Sequence, residues 1–129
     1  MTDKEKQLLI KDLCARLPYR VKGKFPFSPV TVEIIGHTIP YDGEVFYRSD
    51  GNYVDWERVE NFKPYLRPMS SMTDVEKKTL NNILEYQYYS DDSCMCEASD
   101  WLNEHHFDYR RLIEKGLALE ATEDMYKID

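Results

Sequence analysis

Apolar positions change their period twice along this chain. From Thr2 to Leu17 they recur at helical spacing: Leu9, Leu13 and Leu17 form one stripe, with Ile10 and Cys14 beside it. Thr2 and Glu5 have capping-box spacing, in which the Thr oxygen accepts the third helical N–H and the Glu reaches back. Pro18 should end the helix at about Arg16 or Leu17, because a residue before proline avoids the α region. Cys14, on the stripe, is expected to be a small buried hydrophobe.

From residue 19 to 67 the period falls to two. Tyr19–Phe25 reads as a first strand. Val30, Val32 and Ile34 share one face of a second, with Thr31, Glu33 and Ile35 on the other. Asp42-Gly43 and Ser49-Asp50-Gly51-Asn52 are turn signals that bracket strands at Glu44–Arg48 and Tyr53–Val59. Pro26, Pro29 and Pro40 belong at strand ends, since proline cannot donate to an interior ladder. A short strand near Tyr65-Leu66-Arg67 would close the sheet, and the first helix would cover an open end or one face.

From Met69 the helical period returns. Thr73 and Glu76 form a second capping box. Glu76, Leu80, Ile83, Leu84 and Gln87 then predict a helix from about Asp74 to Tyr88. Asp92 or Ser93 can cap the next, whose inner stripe is Met95, Ala98, Leu102 and His105 or His106. Asp108 can cap a short helix through Lys115, ended by Gly116 in a left-handed conformation. Leu117-Ala118-Leu119 reads as a strand or packed coil. The whole pattern predicts one α+β domain over residues 1–129. It has an N-terminal helix, a small antiparallel sheet or partly closed SH3-like barrel, and two or three C-terminal helices. The β-rich part spans 1–67 and the helical part 68–129.

Composition narrows the class without naming an activity. The 129 residues are 42% hydrophobic and 32% charged, with mean hydropathy −0.65. That fits a globular chain able to bury its own core. The net charge of −7 is uneven. Residues 1–30 carry seven Lys/Arg against three acids, while the stretch 79–109 carries seven acids and no Lys or Arg. Cys14, Cys94 and Cys96 are odd in number, and the last two stand too close to bridge easily, which argues against a disulfide framework. No secretory apolar core and no 20-residue apolar span occurs. A reducing, cytoplasmic setting without a membrane is the expectation.

The residues offer four chemistries. Cys94, Cys96, His105 and His106 are zinc-type ligands. On a helix, however, Cys94 and Cys96 diverge by about 200° and the two histidines by about 100°, so no metal is expected. The EF-hand pattern is absent from Asp91, Asp92, Glu97 and Asp100. For catalysis, no nucleophile elbow, phosphate loop or dinucleotide fingerprint occurs, and His37 has no evident partner. No catalytic residue, no cofactor and no enzyme activity are expected. A basic arm (Lys4, Lys6, Lys11, Arg16, Arg20, Lys22, Lys24) with Tyr41, Phe46, Tyr47, Tyr53 and Trp56 could stack bases. A net charge of −7 and a pI near 5.0 oppose attraction to phosphate, so direct nucleic-acid binding is disfavoured.

Three strings carry a resemblance: EKQLLIKDLCARLPY (Glu5–Tyr19), KPYLRPMSSMT (Lys63–Thr73) and WLNEHHFDYRRLIEKGLALEA (Trp101–Ala121). They resemble a group of small uncharacterised proteins from anaerobic gut bacteria, many carried on prophage-like or mobile elements. The strings cover just over a third of the chain. The resemblance implies a bacterial cytoplasmic setting and carries no catalytic residue.

A protein-interaction or accessory role with an unidentified protein partner is the reading left. Its candidate residues are Tyr47, Tyr53 and Trp56 for an aromatic groove, which could also serve a homodimer, and Asp91, Asp92 and Asp100 for a charged contact. A nucleic-acid-associated small barrel is the first alternative, and a small hydrolase or metal-binding protein the second.

Overall fold

The computed structural model describes residues 1–37, 43–49, 53–89, 96–122 and 124–126. Asp91, Asp92 and Cys94 lie outside them.

Helix α1 (Asp3–Arg16) opens on the expected capping box, with the Thr2 hydroxyl accepting from Glu5 N–H at 3.1 Å and Glu5 accepting from Thr2 N–H at 3.0 Å. Leu9, Ile10 and Leu13 are buried. Cys14 is exposed, contrary to expectation. The inward arc of α1 turns toward Asp12 and Arg16 instead, both fully buried.

Strands β1 (Lys22–Lys24), β2 (Val32–His37), β3 (Glu44–Ser49), β4 (Tyr53–Arg58), β5 (Lys63–Leu66) and β6 (Leu119–Glu120) form one sheet in the order β4-β3-β2-β1-β5-β6. All neighbours are antiparallel except β5 and β6. The sheet is open, with β4 and β6 at its two ends, so of the two expected forms the sheet is what forms and the partly closed barrel is not. The first strand is shorter than Tyr19–Phe25. Leu17–Tyr19 continue α1 as a 3₁₀ turn, and Arg20 is left-handed at φ 60°, so extended pairing starts only at Lys22. Near its middle, β1 lies against β5 so closely that a Cβ on Gly23 would overlap both the Phe62 ring and the Lys63 carbonyl. Only glycine fits there.

One face of the sheet carries Val32, Ile34 and Val45, and α1 packs over it. The Phe25 ring stands 5.5 Å from Phe62 and 4.8 Å from Tyr47, extending that core. Leu112, Leu117 and Ala118 join the same cluster from the far end of the chain.

Helix α2 (Asp74–Tyr89) starts with the second capping box, Thr73 with Glu76. Its apolar stripe is only half covered: Leu80 and Ile83 are partly buried, while Val75, Leu84 and Tyr86 are exposed. Helix α3 (Cys96–Glu104) follows. No helix among the described residues is long and apolar enough to cross a membrane.

The expected helix from Asp108 to Lys115 is absent. Asp108 does accept from Leu112 and Ile113 N–H at 2.8 and 3.0 Å, but Arg111 is left-handed at φ 61° and breaks the helical run into turns. Those turns still end as anticipated at Gly116, φ 74°. Its N–H bonds Ile113, and Leu117 N–H bonds Leu112, in the Schellman pattern.

Candidate functional site

Two surfaces combine exposure with chemistry. The first is the outer face of the sheet. Register places Phe46 opposite Trp56, and Arg48 opposite Val54. Alternation along β4 then puts Val54, Trp56 and Arg58 on one side. Trp56 is 54% exposed and Val54 51%. The Phe46 ring lies over Gly36, where a Cβ would stand 3.7 Å from it. Ile35, at the register shift between β2 and β3, is also exposed. The result is an aromatic and aliphatic patch with Arg48 and Arg58 beside it.

Two donors on the end strand β4 are taken by the strand's own carboxylates. Trp56 and Arg58 N–H, two residues apart and so on the same side of the strand, donate to Asp55 Oδ1 at 2.8 Å and Glu57 Oε1 at 2.9 Å. Each carboxylate occupies a donor that an incoming strand would need.

The sequence-derived groove residues divide across this geometry. Trp56 is on the open face. Tyr47 pairs with Asp55 on the other face and packs on Phe25 in the core. Tyr53 opens β4 opposite Ser49. The structure therefore does not assemble Tyr47 and Trp56 into one groove. Of the charged trio, Asp100 is exposed on α3, and Asp91 and Asp92 lie outside the described residues. Asp100 is close enough to Tyr19 to help raise its pKa, after burial and together with Glu104.

The second surface is a polar cleft of about 690 Å³ between the end of α3, the start of α2 and the segment after β6. Helix α3 ends in its own Schellman motif: Phe107 N–H bonds Leu102 at 2.9 Å and His106 N–H bonds Asn103 at 3.0 Å. His106 takes the left-handed position at φ 62°, which costs a non-glycine residue about 1–2 kcal/mol. Its carbonyl accepts from Arg67 N–H at 2.7 Å, and the Arg67 carbonyl accepts from Asp108 N–H at 2.8 Å, so β5 continues into this turn. The turn brings Arg67 and His106 together across 39 residues of sequence.

The Arg67 guanidinium grips both Glu76 oxygens, at 2.7 and 2.8 Å. It also sits 4.1 Å over the Phe107 ring, which stacks on Trp101, which stacks on His105. The hydrogen bond from Arg67 holds the Glu76 carboxyl down at about 2. His106 stacks 3.6 Å from the Tyr126 ring. Tyr126 hydroxyl lies between β1 and β5, 2.7 Å from Tyr65 O, 3.1 Å from Lys22 O and 2.8 Å from Lys22 N–H, which donates to it. A side chain thus fills the place of the next rung between β1 and β5. Burial raises the pKa of this phenol well above its ordinary value. Burial, reinforced by the Arg16 charge, pushes His106 down to about 3, so its ring is neutral at pH 7.

Nothing in the sequence alone brings these cleft residues together. In sequence His105 and His106 read as a poor zinc pair or as the end of a helical stripe, whereas both lie beyond α3, which ends at Glu104; among the described residues no group of three His, Cys, Asp or Glu is placed to hold a metal ion. A histidine at the position where a helix favours glycine was the one local signal. Arg67 and Tyr126 offered none, since their roles depend on contacts far along the chain.

No known protein family, no curated protein and no solved structure matches this chain.

Proposed function

We propose that the chain is a non-enzymatic protein-interaction module that meets its partner through the outer face of the sheet. The observation that carries this reading is Trp56, 54% exposed opposite Phe46 on a face that no described helix covers. Exposed apolar patches of this kind mark interaction sites. Trp and Arg are the side chains that most often dominate binding energy, and Arg48 and Arg58 stand beside the indole. The carboxylates on two β4 donors favour contact through the face over strand addition. A cytoplasmic setting is part of the proposal and rests on the cysteine pattern. An origin among gut bacteria and their mobile elements rests on the three resembling strings.

The test compares affinity capture from a bacterial lysate by wild type, Trp56→Glu and Asp100→Asn, with light scattering on each protein alone. The expected result is a partner lost by Trp56→Glu and kept by Asp100→Asn, with unchanged melting temperatures. A wild-type dimer that Trp56→Glu dissolves would make a second copy the partner. Capture unaffected by Trp56→Glu would remove the sheet face from the reading.

One arrangement favours a second reading. Trp56 and Phe46 beside Arg48 and Arg58 on an antiparallel sheet could stack single-stranded bases. The −7 net charge opposes it. An electrophoretic shift of a single-stranded oligonucleotide at low salt, lost in Trp56→Ala, would support this alternative.

A further inference from the structure

The polar cleft lies away from the sheet face, and its unengaged groups share one chemical character. Arg67 is neutralised by Glu76, and Tyr126 hydroxyl is held by β1 and β5. His105 Nδ1 stands 2.9 Å from the Trp101 carbonyl. A carbonyl only accepts, so Nδ1–H donates to it. The carboxylates of Glu104 and Glu120, both exposed, make no hydrogen bond or ion pair among the described residues. His106 lines the wall at 6% exposure, and its Nδ1 has no partner. A buried polar nitrogen without a partner is uncommon and calls for an explanation.

We propose that this cleft binds a small organic cation, an amine or guanidine, with its charge at the Glu104 and Glu120 rim and its body against the His106–Tyr126 stack. The volume of about 690 Å³ falls within the range of small-molecule sites. After Arg67 and Glu76 cancel, the lining retains two carboxylates among the described residues, Glu104 and Glu120. A donor-rich cation satisfies both. Arg16, Lys22 and Arg67 bear positive charge near His106, and Lys22 Nζ lies 5.8 Å over the Tyr126 ring, which places the ligand's charge at the rim and its uncharged part inward. The neutral state of His106 adds no opposing charge to the cleft.

The experiment is a ¹H–¹⁵N NMR titration of the full chain with agmatine, which carries both an amine and a guanidine. Saturable shifts are expected at Arg67, Thr73, His105, His106 and Thr122. Glu104→Gln combined with Glu120→Gln should weaken binding at least tenfold, while Glu97→Gln combined with Asp100→Asn, both on exposed α3 positions outside the cleft, should leave it unchanged. Non-saturating shifts spread over all acidic positions would show counterion attraction only and overturn the proposal. Equal loss in both double variants would do the same, as would tighter binding of acetate at the same residues. A blocked arginine tripeptide that saturates the cleft when agmatine does not would put the cation on a partner's side chain and overturn the small-molecule form. Trp56→Glu should bind agmatine normally, so this site stands or falls apart from the sheet face.

Discussion

Asp12 and Arg16 are one helical turn apart on the inner side of α1, and neither reaches solvent. Asp12 accepts from Arg16 Nε at 2.8 Å and from Arg110 Nη1 at 2.8 Å, and Arg16 Nη2 donates to the Phe107 carbonyl at 2.6 Å. Arg110 and Arg16 both face the Tyr109 ring, at 4.6 and 5.4 Å. The network fastens α1 to the segment after α3, where hydrophobic contact alone would give no fixed register. Removing one member strands a buried charge. Asp12→Ala should therefore lower unfolding free energy by about 3–5 kcal/mol in urea denaturation. Asp12→Leu with Arg16→Met should recover most of that loss, because an apolar pair needs no desolvated charge. A loss below about 1 kcal/mol in the single variant would show that water reaches Arg16.

At the scale of elements, the junction of β1 with β5 leaves no room for a side chain at Gly23. Gly23→Ala should cost at least about 2 kcal/mol by thermal denaturation. Phe62→Leu should not rescue it, since the Lys63 carbonyl would still collide with the new methyl group. Features written within a few residues were legible in the sequence: both capping boxes, the start of α2, the β2–β3–β4 alternation and the left-handed Gly116. Features that depend on a distant partner were not. Helical spacing put Cys14 on the buried stripe because it could not know that Asp12 finds Arg110, 98 residues on. Asp108 does not cap a helix at the expected spacing: its carboxylate reaches on to Leu112 and Ile113 N–H, past Arg111, whose left-handed backbone no pattern announces. Trp56 was found as an aromatic on a strand. Its separation from Tyr47 followed only once register fixed which face each takes, and the cleft required Arg67, His106 and Tyr126 to meet from three regions.

For the molecule as a whole, the cleft makes acid the condition it tolerates least. Folded His106 titrates at about 3 against an ordinary value of 6.5, so between these values the unfolded chain takes up a proton that the folded chain refuses. Its contribution is complete above pH 6.5 and is lost as pH falls toward 3, at up to about 1.4 kcal/mol per pH unit. Glu76, held at about 2 against 4.5, contributes fully above pH 4.5 and fails between 4.5 and 2. Chemical denaturation across pH 4–8 should show stability falling first below pH 6.5 and more steeply below 4.5. His106→Asn, which also suits the left-handed backbone, should flatten the first stage. A wild-type profile level down to pH 5 would contradict the neutral, buried imidazole.

The two tryptophans are divided between the two surfaces. Trp56 stands half in solvent on the sheet face, and Trp101 is held between His105 and Phe107 beside the cleft. Their emission should differ accordingly, red-shifted from the wet indole and quenched or blue-shifted from the stacked one. The protein thus carries an intrinsic optical reporter at each surface, and a Trp56→Phe or Trp101→Phe variant leaves one surface to be watched at a time without any added label.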